Sequence, residues 1–422
     1  MRFLEYFHHP EKYFRIFIKW SLLGLIMGLL GGVLGAGFAH TLTFVTKLRT
    51  TQPWLIFLLP VGGLVTIGLY RAFQMSGNRG ANEIIEAILR HKPVKAATAP
   101  VIFLSTAITH MVGGSAGREG AALQLGGSTA SILGNALHLK EEERTVLIMS
   151  GMSAVFAGLF GTPLTATFFT MEFESVGTIF SPALLPCYLA AFTASRVAAG
   201  FGVHAEVFPI DTAVPFTALT NFHILLLSVG ISLVGILMCW LFHEADRLAR
   251  KKLPNTWVRI AVGGVLLMVM TLLVGDQRYN GAGMDMAFTA LEGQAAGYDF
   301  ILKLLFTAIT LAAGFKGGEI VPTFCIGATF GCFIGHLLGM DAGFAAALSL
   351  VGLFCSVTNS PISAIVLSVE MFGSANLATF AFVCVIVFVL SGNWGLYSSQ
   401  IIQFSKARLV RKEHEEHKEP KW

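Results

Sequence analysis

The sequence predicts an all-α polytopic membrane protein, and three observations predict it. Apolar residues make up 54% of the 422 positions and charged residues only 13%, against about 25% charged in a typical soluble domain. Uncharged runs recur along the chain at the length of a spanning helix, about 20 mostly apolar residues. Several runs are cut by Gly or Pro, and broken backbone is tolerated at membrane depth only where protein or a water-filled cavity surrounds it. So few charges cannot coat a soluble globule of this size. A cytosolic enzyme, a disordered chain and a disulfide-rich secreted domain are excluded. The net charge of +4 is small, and no block of sequence reads as a nucleic-acid arm.

Residues 1–20 mix aromatic side chains with Arg2, His8, His9, Lys12, Arg15 and Lys19, the composition of an amphipathic interfacial helix. Residues 21–39 form an uncharged run too long for a signal-peptide core, expected to stay in the membrane as the first span. The further candidate runs are 53–70, 145–171, 175–195, 224–242, 260–275, 320–340, 342–369 and 371–405. Gly161-Thr162-Pro163 and Ser360-Pro361 interrupt two of them and announce short, broken helices. Basic residues flank the membrane at both ends, including the charged tail 406–422, which places both termini in the cytoplasm of a cell with a multi-pass protein in its membrane. The six cysteines lie in apolar runs with no Cys-x-x-Cys pair and read as small buried hydrophobes. No disulfide framework, metal site or cofactor is expected.

An internal repeat organises the chain. Gly161-Thr162-Pro163-Leu164-Thr165-Ala166 leading to Glu172 matches Asn359-Ser360-Pro361-Ile362-Ser363-Ala364 leading to Glu370. Gly117-Arg118-Glu119 matches Gly317-Gly318-Glu319, and Gly80-Ala81-Asn82 matches Gly283-Met284-Asp285. The three matches keep their order at nearly one offset. They imply a first membrane repeat over 21–204, a linker over 205–220 and a second repeat over 221–405. In transporters such repeats are often inverted, with the substrate site near the midplane where broken helix ends converge.

Those segments suit an anion. The stretch Gly113 to Ala121 is glycine-rich and precedes an apolar, helix-compatible run, Ala121-Ala122-Leu123-Gln124-Leu125. A helix start exposes unpaired N–H groups at the positive end of the dipole. Gly317-Gly318-Glu319-Ile320-Val321-Pro322 offers the same from the other half, with Pro322 suited to a first turn, and the stretch from Asn78 to Asn82 adds a third start. Several such ends can hold a small anion with no full cation, weakly enough to release it. Glu119 is then electrostatically out of place, because a carboxylate repels the anion beside it. Read functionally, it competes with the anion and exchanges a proton as the two trade places. Read structurally, Arg118 and Glu119 are a surface pair at a helix start, although adjacent helical residues do not face one another.

At these residues the sequence resembles the CLC family of chloride channels and anion/proton antiporters. Gly117-Arg118-Glu119-Gly120-Ala121 resembles the family's G-[KR]-E-G-P motif, Gly318 to Pro322 resembles G-x-F-x-P, and Asn393-Trp394-Gly395-Leu396-Tyr397-Ser398 matches the late segment with the central tyrosine. The resemblance implies an inverted repeat of short, tilted and broken helices, and a homodimer with one pore per subunit. It implies that Glu119 is the proton and anion gate and that Gly80, Ala81, Asn82, Gly120, Ile320, Val321 and Tyr397 bind the anion. Gly117, Arg118, Gly318, Glu319 and Pro322 support the motifs.

Departures from the family pattern point within it. The serine of the G-S-G-I-P motif of many chloride-type members is missing around Ala81 and Asn82. Ala121 and Ile320 replace the family's Pro and Phe. The inner proton glutamate of chloride antiporters falls on Phe173, next to Glu172. These features resemble the fluoride-exporting branch, although that branch commonly has Thr where Ala121 stands. The implied activity is export of fluoride in exchange for protons. Chloride/proton exchange and a passive chloride channel of the same family are the alternatives. A distant one, an intramembrane enzyme, would use Ser115 and His110.

Other polar residues take plainer readings. Glu172 and Glu370 close matching segments and are expected to cap helices or line a vestibule. His110 and His336 are expected to be hydrogen-bonded interior histidines. Arg79 and Lys316 stand near candidate anion-binding turns, where they either attract the anion or reach to an interface.

Overall fold

The computed structural model describes residues 10–404 and 406, apart from 76, 78, 211, 212 and 216. The first nine residues of the expected interfacial helix, Asn78 and the tail from 407 lie outside the described residues. Sixteen α-helices are present among the described residues, with a single two-stranded sheet. Seven of the helical segments are long and apolar enough to cross a membrane.

The first half runs α1 (Pro10–Thr51), a 3-10 turn (Pro53–Leu58), α2 (Leu59–Ala72), α3 (Ala81–Leu89), α4 (Thr98–Val112), α5 (Glu119–Ala136), α6 (Glu141–Phe160), α7 (Pro163–Glu172), β1 (Ser175–Val176), a second 3-10 turn (Ser181–Ala183) and α8 (Leu184–Gly200). The second runs α9 (Ala218–Lys252), α10 (Thr256–Val274), α11 (Met284–Leu291), α12 (Asp299–Ala313), α13 (Ile320–Leu338), α14 (Ala342–Thr358), α15 (Pro361–Phe372), α16 (Leu377–Leu390) and β2 (Ile401–Ile402). From α3 to α8 and from α11 to α16 the elements correspond in order and closely in length. The two counterparts α4 and α12 have 15 residues each, and α5 and α13 have 18 and 19.

Several expected boundaries move. The interfacial segment and the first span are one rod, because neither Gly nor Pro interrupts the chain between residues 11 and 23. The run 145–171 divides at Gly161, whose positive φ of 70° caps α6 with its N–H on the Ala157 carbonyl at 2.8 Å; Pro163 then opens α7. The run 175–195 becomes helical only at Leu184, and 371–405 leaves α-helix at Leu390. The sequence reading missed α4 and α12. Both are shorter than a full span, and α12 carries Asp299 and Lys303.

Burial grades inward. Every residue of α14 except Gly343 is buried, as is α6 from Thr145 onward, whereas Leu29, Val33, Leu233, Leu273 and Val385 on α1, α9, α10 and α16 are exposed. An apolar exterior around a polar-containing interior is the distribution a bilayer demands. Small residues set the inner spacings: a methyl added at Gly126 or Gly151 would fall on the other's backbone, so α5 and α6 cross at closest approach.

The halves are tied by an exchange of carboxylates. Glu370, near the end of α15, accepts the N–H groups of Leu164 and Thr165 at 2.8 Å and the Thr165 hydroxyl at 2.6 Å, at the start of α7. Glu172, at the end of α7, accepts the N–H groups of Ile362 (3.2 Å) and Ser363 (2.8 Å) and the Ser363 hydroxyl, at the start of α15. Each helix thus ends in the cap of the other, satisfying donors that a helix start leaves open.

Candidate anion and proton site

Two glycine-rich turns meet head to head. Gly117 and Gly318 form an antiparallel bridge, with N–H to carbonyl distances of 2.7 and 2.8 Å. Two residues after each glycine α5 and α13 begin, so two helix N-termini converge from opposite halves. Glu119 is fully buried between them. Its Oε1 accepts the Val321 N–H at 3.0 Å, while Oε2 has no partner. A methyl at Gly117 or Gly318 would overlap that carboxylate, which is the packing reason for glycine at both. The side chain occupies an amide-lined position that an anion could take. Here the negative group is the protein's own.

Of the other expected site residues, Gly120, Ile320, Val321 and Pro322 fall at this junction. Ile320 and Val321 are fully buried, and Pro322 stands in the first turn of α13. Gly120 is buried against the Gly317–Gly318 backbone, with Glu319 Oε2 3.8 Å from where its Cβ would be. Tyr397 is buried and carries the hydroxyl of the segment after α16. That hydroxyl is buried without a partner, and the ring meets Phe173 edge-on at 4.8 Å. Gly80, with a positive φ of 66°, opens α3. Ala81 is buried, and the Asn82 side-chain oxygen accepts the Ser399 N–H at 2.9 Å. The α3 start therefore reaches the Tyr397 segment through Ser399.

Arg118 does not pair with Glu119. It turns away to Glu206 at 2.7 Å and stacks on Phe160 at 4.9 Å. His110 is buried with Nε2 3.3 Å from the Gly117 carbonyl, as an interior histidine should be, whereas His336 is exposed and bonds the Gly293 carbonyl at 3.0 Å. All six cysteines are buried and free. Ser115 gives no support to a nucleophile: its hydroxyl lies 3.0 Å from both Thr307 Oγ1 and Lys303 Nζ, and it forms no bond to His110.

Sequence reasoning missed Lys303. Its ammonium, fully buried, also donates to the carbonyls of Tyr279 (3.1 Å) and Gly281 (2.7 Å), clamping the Gly113–Gly117 turn to the segment before α11. A lone lysine within an apolar run was the available signal. Glu206 was missed too, since nothing local marks a linker residue as the partner of a motif arginine.

Comparison with known proteins places these features in a family. The family model described as "Voltage gated chloride channel" matches residues 62–391. A "Chloride/fluoride channel protein" of Pseudomonas syringae pv. tomato is 32% identical over 397 residues, covering 92% of this chain and 87% of that one. The crystal structure of a CLC-type fluoride/proton antiporter superposes with a TM-score of 0.88 at 33% identity, over 91% of this chain and 98% of that one. A slow cyanobacterial Cl−/H+ antiporter shares the fold, with a TM-score of 0.77 at 19% identity over 88% and 94% of the two chains. Motif order, architecture and these likenesses agree: the chain is a multi-pass membrane protein that belongs to the voltage gated chloride channel (CLC) family.

Proposed function

We propose that this protein exports fluoride in exchange for protons, with Glu119 as the shared gate. The observation that carries the reading is the Glu119 carboxylate seated on the Val321 N–H where two helix starts converge. An anion arriving there replaces the carboxylate on the amides. The displaced side chain takes up a proton from one side of the membrane, releases it to the other, and returns as a carboxylate that expels the anion. Gly80, Ala81, Asn82, Gly120, Ile320, Val321 and Tyr397 line the anion's route, and Gly117, Arg118, Gly318, Glu319 and Pro322 hold the turns. Fluoride is favoured over chloride by the missing serine at the α3 start and by likeness to the fluoride/proton antiporter. Short donors such as backbone amides suit a small, strongly hydrated ion. The same family resemblance supports a homodimer, and the flanking basic residues support cytoplasmic termini. Two repeats over 21–204 and 221–405, joined by 205–220, are supported by the matching element order.

Reconstituted liposomes test the reading. A fluoride gradient should drive proton uptake, and Glu119→Gln should abolish that uptake. Absence of fluoride-driven proton movement in the unmodified protein would reject the proposal. Comparable coupled fluxes of chloride and fluoride would favour chloride/proton exchange.

A further inference from the structure

A helix end leaves its last carbonyls without partners, and two such ends lie beside Tyr397. Phe173 caps the end of α7, from the first half, and Thr358 closes α14, from the second. One side chain serves both. Gln400 Nε2 donates to the Phe173 carbonyl and to the Thr358 carbonyl, each at 3.0 Å, so both of its N–H groups are engaged. Gln400 Oε1 accepts the Asn359 Nδ2 at 3.4 Å.

Asn359 is itself held. Its φ of 59° is left-handed, a cap geometry that asparagine tolerates, and it is buried. Its Nδ2 also donates to the Trp394 carbonyl at 3.2 Å, and its Oδ1 accepts from Lys406 Nζ at 2.6 Å. The Lys406 ammonium lies over the Phe388 ring, 4.0 Å from its centroid. A methyl at Gly395 would stand 2.5 Å from Asn359 Nδ2 and 3.4 Å from Gln400 Oε1. The glycine of Trp394-Gly395-Leu396-Tyr397 is therefore clearance for this amide pair.

The tyrosine sits inside the frame. The Leu396 N–H donates to the Val357 carbonyl at 2.8 Å, and the Gln400 N–H donates to the Tyr397 carbonyl at 3.2 Å, closing a turn over 397–400. The Gln400 backbone thus holds Tyr397 while its side chain holds Phe173, whose ring meets the tyrosine edge-on. Ser399, in the same turn, is bonded to Asn82 and Glu86 on α3. Only the Tyr397 hydroxyl is left over, buried with no hydrogen-bond partner among the described residues. A fixed frame around an open donor is the arrangement that preorganised stabilisation of a charge requires.

We infer that Gln400 is a positioning residue: its amide, capping α7 and α14 at once, fixes where the Tyr397 hydroxyl meets the anion. Without that amide the turn loses its hold on both helix ends. The tyrosine ring can keep its apolar contact while the hydroxyl drifts, and a drift of about 1 Å weakens a hydrogen bond to an ion.

The inference rests on the proposed exchange activity, and one experiment separates their failures. Fluoride efflux and proton uptake are recorded from liposomes over a series of internal fluoride concentrations. The proteins are the full chain, Tyr397→Phe, Gln400→Met, Lys406→Met, and each of the last two combined with Tyr397→Phe. Tyr397→Phe should raise KM for fluoride about tenfold, the low end of what a hydrogen bond to a charged group contributes. Gln400→Met should raise KM at least about threefold with kcat little changed, the pattern of lost binding. Lys406→Met, which loosens only the outer member of the frame, should raise KM by about twofold. In the Tyr397→Phe background both added effects should vanish, because no hydroxyl remains to be placed. That non-additivity is what a merely structural role would not produce. Unchanged KM in Gln400→Met overturns the inference, as does an equal rise in KM with and without the tyrosine hydroxyl. Should Gln400→Met fail to fold, the Lys406→Met pair decides by the same two outcomes. Unchanged KM in Tyr397→Phe overturns the inference and leaves the exchange activity standing. Absence of fluoride-driven proton uptake in the unmodified chain overturns the exchange activity, and the positioning role with it.

Discussion

Gly318 offers the most direct test of the junction. An alanine methyl there would stand 2.7 Å from the Gly120 nitrogen and 2.9 Å from the Glu119 nitrogen, and would overlap the Glu119 carboxylate. These are backbone atoms and a buried side chain, so no flexible group can yield cheaply. Gly318→Ala must open the Gly117–Gly318 bridge and unseat Glu119. Two bridge hydrogen bonds at about 1 kcal/mol each, with about 1–3 kcal/mol of overpacking, give a destabilisation of roughly 3–5 kcal/mol before the backbone relaxes. Gly120→Ala is the matched control for stability. Its added methyl would meet Gly318 Cα at 3.4 Å and the Gly317 carbonyl at 3.5 Å, ordinary contacts that predict a change within about 0.5 kcal/mol. Heating both variants in detergent, followed by fluorescence-detected size exclusion, reads the difference, and liposome flux reads the loss of proton coupling in Gly318→Ala. A Gly318→Ala protein as heat-stable as its parent, with coupled exchange intact, would refute the packing argument.

Two further outcomes are expected from ion pairs and caps. Glu370→Ala strands the Leu164 and Thr165 N–H groups and the Thr165 hydroxyl, and should cost about 3–5 kcal/mol. Glu370→Gln, which keeps an acceptor, should cost clearly less in the same thermal assay. Arg118→Ala and Glu206→Ala should each destabilise modestly. Their double-mutant cycle should give a coupling of about 1 kcal/mol, because the paired side chains are 15% and 30% exposed.

What could be read beforehand was what repeats or breaks a local rule. Gly117, Gly318 and Glu119 stood out because glycines beside an acid in an apolar run have few other reasons to be there. The order of the broken helices followed from Gly161, Pro163 and Pro361. The rest depended on partners far along the chain. Arg118 and Glu206 lie 88 residues apart, and Thr165 and Glu370 lie 205 apart. No periodicity encodes such pairs, so Glu172 and Glu370 could be placed at helix ends but not assigned to each other's helices. Helices α4 and α12 escaped for another reason. A length rule built on spans that cross the whole bilayer rejects 15-residue helices, although a protein interior can receive both of their ends. Lys303 deepened that error, for a charge inside an apolar run argues against a span until its three acceptors are known.

The reciprocal caps bear on how the molecule is made. A ribosome that has released α7 still has about two hundred residues to add before it reaches Glu370. Throughout that interval the amino end of α7 lacks its acceptor, inside or beside lipid. The early half cannot settle into its final form and then wait for the late half, so maturation is a joint event near the close of synthesis. A nascent chain arrested before residue 370 would present that unfinished end to whatever quality-control machinery patrols the membrane.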